Sequence, residues 1–425
     1  MKRKLAAAIT IAGMMVSVAA CGGNSKNDSK DAGPSSWKGQ TLTVWTMDGS
    51  APPQWTKDVQ AAFEKQTGAK VNFQIQKWDG IQQKITTALS EDTPPDVLEV
   101  GNTQTPAYAA TGGLADLADV KKAIGADWTP SVSQSSVYDG KQYAAPWYFA
   151  NRVVIYNKAI WAKAGITATP KTRDEFFKDL ETIGKKTDAE PLYLPGQNWY
   201  FFDGLIIGQG GELVKKQGDK YVSNLADPKV AAAMETYKKY ASYSKAPKDK
   251  DEATPQQAQV FAKGKTGAFI GMGWEAATAV QANKSIEKDL GYFTIPGVTA
   301  DKPEGVFLGG SNLAVAQNSK HQSLAKEFLK IALSDQYEGE LSKLSGIVPN
   351  KASLESNVKG NPAAEAAAPA AAGGGTTPLI PEWAAVENTP NPIKSYMTSV
   401  LNGKDPAAAA KDVESEINKR LAQQN

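Results

Sequence analysis

The stretch DGKQYAAPWYFANRVVIYNK, residues 139–158, carries the strongest indications of how this chain folds. A turn signal at Asp139-Gly140 is followed by two extended runs, 143–149 and 152–156, rich in aromatic and β-branched residues. Pro146 lies inside the first run, which favours an edge strand or a crossing segment. Three aromatics follow it, and alternation along an extended chain turns at least one of them towards solvent or a ligand. We therefore predict that this stretch passes between two lobes and lines the cleft between them.

Upstream of this stretch, strand and helix patterns alternate. The runs 41–46, 70–76 and 95–100 are typical of strands, whereas 55–67 and 81–89 have the apolar spacing of helices. This alternation predicts an α/β fold with a parallel sheet and crossover helices. Ligands of such sheets bind beyond the carboxyl ends of the strands. The residues expected there are Met47, Asp48, Trp78, Asp79, Asn102, Thr103 and Gln104.

Downstream, a second α/β body is predicted. Helical patterns at 173–187 and 228–243 alternate with short strands, and the densest aromatic cluster lies at 197–203. Trp274 opens a predicted helix directly after the small-residue turn Gly271-Met272-Gly273, which leaves room for a ligand against its indole. The Ala-rich segment 361–375 is expected to be a surface loop with a weak helix.

The N-terminus has the pattern of a secretory leader. Three basic residues at 2–4 precede a short apolar run at 5–18, which is too short to span a bilayer. Cys21, the only cysteine, follows small residues at the cleavage point and resembles the lipidation site of bacterial lipoproteins; the alternative is an ordinary signal peptide with an incidental cysteine. Residues 22–36 are typical of a flexible polar tether. Loss of the three basic residues takes the formal net charge from +2 to about −1, which gives no electrostatic case for nucleic-acid binding.

The residue inventory excludes several chemistries. With one histidine and one leader cysteine, Ser-His-Asp, Cys-His and His-based zinc sites are nearly ruled out, and we predict no metal, cofactor or catalytic residue. Carboxylates and aromatics remain. A carboxylate pair could hydrolyse glycosides, the candidates being Asp48, Asp79, Asp203 and Glu275. The same residue types also bind sugars without chemistry, since sugar C–H faces stack on aromatic rings and hydroxyls pair with polar side chains.

Several segments, taken in order, resemble one known family. They are TLTVWTMDG (41–49), FEKQTGAKVNF (63–73), PPDVLEVGNTQTPAYAATGGLADL (94–117), the stretch quoted above, FAKGKTGAFIGMGW (261–274), GGSNLAVAQNSKHQSLAKEFLKIAL (309–333) and VPN (348–350). Together they resemble bacterial extracellular solute-binding proteins of the sugar-binding class, the maltose-binding-protein type that serves ABC importers. The leader and PWYFANR (146–152) are most similar to actinobacterial oligosaccharide receptors, including those for chitobiose.

The resemblance implies two α/β lobes, a periplasmic-binding-protein fold with three interlobe crossings and a central ligand cleft. It also implies a set of ligand contacts: loops after the first and third strands, a stacking aromatic at Tyr200, and stacking tryptophans at Trp274 and near Trp383. Ala150 stands where the maltose type has a cleft carboxylate, which argues against maltose as the ligand. The ligand-binding residues predicted from pattern and resemblance are Asp48, Trp78, Asn102, Gln104, Trp147, Tyr148, Asn151, Asn198, Tyr200, Trp274, Ser311 and Trp383.

The predicted organisation is a signal peptide at 1–20, a tether at 21–36, a first lobe at 37–149 and 305–350, and a second lobe at 150–304 and 351–425. The predicted function is that of a monomeric receptor, lipid-anchored through Cys21 at the extracellular face of the membrane. It would capture a disaccharide or short oligosaccharide, with the chitobiose or N-acetylglucosamine type as the narrower expectation, and deliver it to ABC permease subunits. The alternatives are a secreted glycoside hydrolase and a receptor for a non-sugar solute such as a peptide or polyamine.

Overall fold

A computed structural model describes residues 34–125, 127–345 and 347–423. The predicted signal peptide, the lipidation site Cys21 and the tether up to residue 33 lie outside them. The strands are β1 (Thr41–Met47), β2 (Lys70–Gln76), β3 (Val97–Gly101), β4 (Val137–Tyr138), β5 (Lys141–Gln142), β6 (Ala145–Ala150), β7 (Arg152–Asn157), β8 (Glu190–Tyr193), β9 (Val214–Gln217), β10 (Lys220–Ser223), β11 (Thr266–Met272), β12 (Leu290–Phe293), β13 (Gly309–Val315) and β14 (Val348–Pro349).

The helices are α1 (Pro53–Thr67), α2 (Ile81–Leu89), α3 (Thr105–Ala110), α4 (Ala118–Ala123), α5 (Pro130–Ser133), α6 (Lys158–Lys163), α7 (Arg173–Lys186), α8 (Trp199–Gly208), α9 (Pro228–Ala241), α10 (Gln257–Phe261), α11 (Glu275–Ala282), α12 (Gln322–Ala332), α13 (Asp335–Ser345), α14 (Pro362–Ala371), α15 (Trp383–Glu387), α16 (Pro392–Leu401) and α17 (Pro406–Leu421). Short 3-10 turns lie at Pro34–Ser36, Gln134–Ser136, Lys284–Asp289 and Ala352–Val358. None of the described helices is long and apolar enough to cross a membrane.

Six strands form the sheet of the first lobe, in the order β14-β6-β13-β3-β1-β2. β1 pairs in parallel with β2 and β3, as the strand–helix–strand pattern predicts. Trp55, Val59 and Phe63 recur every fourth residue on α1 and cover one face of the sheet, while Ile81 and Ile85 of α2 cover the other. β13 runs antiparallel to β3 and β6. The carboxyl ends of β1, β2, β3 and β6 therefore meet at one edge.

Four strands form the sheet of the second lobe, in the order β12-β7-β11-β8. β7 runs antiparallel to β11 and β12, and β8 runs parallel to β11. The amino end of β7 thus lies beside the carboxyl ends of its neighbours. The two-lobed α/β architecture predicted from the sequence is confirmed.

The chain crosses between the two sheets three times. β6 ends at Ala150 in the first sheet and β7 begins at Arg152 in the second, so Asn151 alone separates them. The second crossing joins β12 to β13, and the third joins β14 to α14. Because a single residue links the sheets at the first crossing, the cleft-facing edges of both sheets adjoin it.

Two lobe boundaries differ from those expected. Val306 and Leu308 pack in the second-lobe core, and the Leu308 N–H donates to the Gly375 carbonyl over 2.7 Å, so the second crossing falls at Gly309. At the third crossing, the Lys351 ammonium pairs with Asp335 of α13 over 2.6 Å. The chain therefore stays with the first lobe beyond residue 350.

The Ala-rich segment also differs from expectation. Residues 362–371 form α14, which packs against β7 and β12, with five of its alanines buried. Asn361 caps this helix by accepting from the backbone N–H groups of Ala363 and Ala364. Low complexity here reflects close packing of small side chains rather than a surface loop.

Candidate functional site

The first-lobe edge of the cleft carries the loops that follow β1, β2 and β3. Asp48 is exposed, and the Trp78 side chain is 44% exposed. Trp78 and Gln104 both lie against Gly101, since a Cβ built there would be 3.6 Å from the Trp78 ring and 3.7 Å from the Gln104 Oε1. The structure thus brings Trp78 and Gln104 together at this edge.

Asn102 is buried and its side chain is occupied. Its Nδ2 donates to the Leu308 carbonyl over 2.9 Å, and its Oδ1 accepts from the Gly310 N–H over 3.3 Å. The amide therefore ties the loop after β3 to the second crossing, and this geometry makes Asn102 a support for the cleft rather than a free ligand contact.

Glu99, which the sequence did not single out, is fully buried in β3 and holds the first-lobe edge together. Its Oε2 accepts from the Met47 N–H over 2.6 Å. Its Oε1 accepts from three hydroxyl groups, those of Ser50 (2.7 Å), Ser311 (2.6 Å) and Tyr148 (3.0 Å). Burial raises the pKa of Glu99, and these four hydrogen bonds oppose the rise. The predicted ligand residues Tyr148 and Ser311 therefore have their hydroxyl groups committed to Glu99.

Trp147 does not line the cleft, contrary to the sequence prediction. It is fully buried in the first-lobe core, where its ring centroid lies 5.3 Å from that of Trp55 on α1. The face of β6 that carries Trp147 is covered by α1, which could not be derived from the local aromatic run. Pro146 coincides with a register shift between β6 and β13, opposite Asn312.

The first crossing is fixed by its own side chains. The Asn151 Nδ2 donates to the Ala367 carbonyl of α14 over 3.1 Å, which anchors the crossing to the second lobe. Next to it, the Arg152 guanidinium pairs with Glu252 over 2.6 Å and lies 5.4 Å from the Tyr200 ring. Asn151 therefore stabilises the hinge and does not form part of an open ligand surface.

On the second-lobe edge, Asn198 and Tyr200 begin α8. Asn198 is buried and caps the helix by accepting from the Phe201 N–H over 3.3 Å. The Tyr200 ring stacks on Phe307 with centroids 4.4 Å apart, and its hydroxyl donates to Glu387. The stacking partner of Tyr200 is thus a protein ring, whereas the sequence prediction assigned that position to a sugar.

Trp274 is the exposed aromatic of this edge, with 49% of its side chain accessible. It borders a groove of about 740 Å³ whose walls include Tyr292, residues 361–363 and, from the end of α13 in the first lobe, Leu344 and Ser345. Both lobes therefore contribute to the surface beside Trp274.

Trp383, in contrast, is fully buried in the second-lobe core, and its ring centroid lies 6.4 Å from that of Trp199. Trp383 therefore does not present an open ring face to the cleft, because α15 turns the indole inward.

Two carboxyls lie near Tyr200, that of Asp203, which is buried, and that of Glu387, which is partly buried. Burial raises the pKa of Asp203 to about 8, and the neighbouring Glu387 charge adds to the rise. Burial also raises the pKa of Glu387, which hydrogen bonding from Tyr200 and Thr103 opposes. Glu387 was missed as a site residue, although it follows Trp383 by one helical turn, and Asp203 was considered only as a hydrolase carboxylate.

The hydrolase candidates are divided between the lobes. Asp48 and Asp79 are exposed on the first lobe, while Glu275 is buried and fixed by Gln257 and by the Met272 N–H. Among the residues that the structure describes, no three His, Cys, Asp or Glu side chains are grouped as metal ligands.

Comparison with known proteins shows which family this chain belongs to. A family model described as bacterial extracellular solute-binding protein matches residues 48–339. The chain is 73% identical over 424 residues to the diacetylchitobiose binding protein DasA of Streptomyces coelicolor, with all of both chains covered. It is 25% identical over 418 residues to a galactooligosaccharide-binding protein of Bacillus subtilis, covering 96% of this chain and 95% of that protein.

Solved structures support the fold. The GacH receptor of Streptomyces glaucescens matches with a TM-score of 0.77 and 24% identity, over 91% of this chain and all of that one. The sugar-binding protein MalE of Xanthomonas citri matches with a TM-score of 0.78 and 22% identity, over 91% of this chain and 98% of that one. The matched family and its relatives are binding proteins and not enzymes. With its two lobes, three crossings and matching family model, the chain belongs to the bacterial extracellular solute-binding proteins.

Proposed function

We propose that this chain captures a short oligosaccharide of the diacetylchitobiose type outside the cell and delivers it to an ABC importer. The observation that carries the proposal is the 73% identity, over the whole chain, with a diacetylchitobiose binding protein. The lower similarity to a galactooligosaccharide-binding protein supports the broader sugar class.

The geometry of the cleft edges supports a sugar ligand. Trp78 and Trp274 present partly exposed indoles on opposite lobes, and the apolar faces of sugar rings stack on such rings. The groove beside Trp274, at about 740 Å³, lies within the range of about 300–1,000 Å³ typical of ligand sites. Of the predicted set, we retain Asp48, Trp78, Gln104 and Trp274 as direct contacts. We assign Asn102, Tyr148, Asn151, Asn198, Tyr200 and Ser311 to the supporting structure.

Closure follows from contacts on both lobes. A ligand that touches both edges binds the closed form more tightly than the open one, and so shifts the hinge towards closure. The permease then needs to recognise only the closed shape. In this account the first lobe comprises residues 37–150 and 309–358, and the second 152–308 and 362–423.

The receptor acts at the membrane surface. We propose that lipid on Cys21 anchors a monomer to the outer face through the tether. Cys21→Ser is expected to move the protein from the membrane fraction into the medium, as measured by immunoblotting. Retention of this variant in the membrane would show that the anchor lies elsewhere.

The proposal is tested by a thermal-shift panel of diacetylchitobiose, cellobiose, maltose and galactobiose on the mature chain. A ligand at about 100 times its Kd stabilises the native state by about 2.7 kcal/mol, and we expect the largest shift with diacetylchitobiose. Chromatography after incubation should return the sugar intact. If no sugar shifts the midpoint, or if the sugar is cleaved, the proposal fails.

The Trp274→Ala variant tests whether this exposed indole contributes to ligand affinity. Loss of one stacking ring is expected to weaken diacetylchitobiose binding by at least about tenfold, corresponding to about 1.4 kcal/mol. Ile75→Ala removes another exposed apolar side chain, on the first lobe, and should leave the affinity unchanged. Equal affinities of Trp274→Ala and the parent protein would remove Trp274 from the site.

A further inference from the structure

Two short helices of the second lobe bring four polar or aromatic side chains together. Tyr200 and Asp203 are three residues apart on α8, and Trp383 and Glu387 are four apart on α15, so each pair shares one helix face. The Tyr200 hydroxyl donates to Glu387, and the Glu387 charge adds to the rise in the pKa of Asp203, which places the two carboxyls near each other. The two helix faces are therefore turned towards each other.

Within the described part of the chain, three atoms of this cluster are closed off from solvent and lack a well-formed hydrogen bond. They are the Asp203 Oδ2, the Glu387 Oε2 and the Trp383 Nε1. Most buried polar atoms in proteins are paired, and Asp203 and Trp383 are almost completely buried. Two carboxyl oxygens and one indole N–H, carried on the facing sides of α8 and α15, thus remain without a partner.

The first lobe reaches the same cluster. Thr103, in the loop after β3, lies beside the Glu387 carboxyl and helps to hold its pKa down. The Gln82 Nε2 of α2 donates to the Ala384 carbonyl of α15 over 3.2 Å. A ligand group held by Asp203 and Glu387 would therefore be enclosed where the two lobes meet.

The available atoms match one functional group of sugars. An acetamido group has an N–H donor and a C=O acceptor on two separate atoms, so it can donate to a carboxyl oxygen while it accepts from an indole N–H. A lone ring hydroxyl has to make both bonds through one oxygen. Resting on the proposed function, we propose that Asp203, Glu387 and the Trp383 indole N–H select 2-acetamido sugars over sugars with a plain 2-hydroxyl.

The test compares two β-1,4-linked disaccharides that differ at this group. Calorimetry on the full mature chain should show diacetylchitobiose bound at least about 100-fold more tightly than cellobiose, because an unmatched buried polar group strongly disfavours the wrong ligand. Glu387→Ala should reduce that ratio about tenfold or more. Glu387→Gln, which keeps one acceptor oxygen, should recover part of it, and Asp203→Asn should fall between the parent and Glu387→Ala.

The ratio of the affinities for diacetylchitobiose and cellobiose distinguishes a loss of ligand selection from general damage to the fold. A merely structural role would weaken both disaccharides equally and leave the ratio unchanged, which would overturn the inference. Glu338→Gln alters another fully buried carboxyl with raised pKa, in the first lobe, and should also leave the ratio unchanged. If the parent protein binds neither disaccharide, the proposed function fails. If it binds both and the variants keep the parent ratio, only the selection mechanism fails.

Discussion

Two carboxylates, the buried Glu99 in the first lobe and the partly buried Glu387 in the second, show how differently the two edges of the cleft are built. Glu99 accepts from one backbone N–H and three hydroxyl groups, which come from three separate segments of the first lobe. Glu387 accepts from Tyr200, while its Oε2 is enclosed without a well-formed bond. Burial raises the pKa of both groups.

A raised pKa alone therefore does not define the role of a carboxylate. A carboxylate whose two oxygens both accept hydrogen bonds from the protein stabilises the loops around it, and here it holds the loop after β1 in place. A carboxylate with an unfilled position remains able to bind a ligand donor. The first-lobe edge is thus internally satisfied, and the second-lobe edge keeps hydrogen-bonding capacity.

Glu99→Ala should have the largest effect on stability. It leaves the Met47 N–H and three hydroxyl groups without their common acceptor, and unpaired buried groups cost about 1–3 kcal/mol each. Because the hydroxyl groups of Ser50 and Tyr148 can still pair with each other, we expect a loss of about 3 kcal/mol in the free energy of unfolding, measured by urea denaturation.

Glu64→Ala, at an exposed position of α1, is the control and should change the unfolding free energy by less than about 0.5 kcal/mol. A loss below about 1 kcal/mol for Glu99→Ala would mean that the network does not hold the first-lobe edge.

The stability of the ligand-free protein should fall as pH rises from 5 to 8. Burial raises the pKa of Asp203 to about 8 and that of Glu275 to about 7, so the folded state binds protons that the unfolded chain releases near pH 4. The stabilisation is complete below the unfolded pKa and is lost as pH rises through the folded one. We expect a decrease on the order of 2 kcal/mol, measured by thermal unfolding at several pH values.

Asp203→Asn removes the main titrating group of the second-lobe edge and should flatten this pH dependence. An unchanged slope in that variant would assign the dependence to other carboxyls and weaken the contrast between the two edges.

The smallest stability effect is expected from Glu387→Gln. The variant keeps an oxygen for the Tyr200 hydroxyl and replaces a carboxyl whose charged form is disfavoured by burial, so the unfolding free energy should change by no more than about 1 kcal/mol. Glu99→Gln, in contrast, turns one acceptor oxygen into a donor within a filled network and should cost about 2 kcal/mol. Equal losses in these two variants, measured by urea denaturation, would contradict the distinction drawn between the carboxylates.

Much of the fold could be predicted from local sequence. The alternation in β1 and β2, the helical spacing of α1 and the passage between the lobes near residue 151 depend on residues close in the chain. Periodicity and turn chemistry report such features directly. The partly exposed Trp274 could also be predicted, since small residues precede it.

The rest of the site depends on contacts between distant residues. The Tyr200 and Glu387 side chains are bonded across 187 positions, and no local pattern reveals that pairing. Trp147 was assigned to the cleft because the aromatic run shows that its rings alternate but does not show which face α1 covers. In the same way, the Ala-rich segment has a composition typical of a loop, and only its packing against β7 and β12 makes it a buried helix.

Calorimetric titration of the mature chain with N,N′-diacetylchitobiose measures the proposed binding function itself. We expect one site per chain with a Kd of about 1 μM or lower, which corresponds to about −8 kcal/mol, and intact sugar after the titration. Saturable binding of maltose in preference to diacetylchitobiose, or the absence of binding to both, would contradict it.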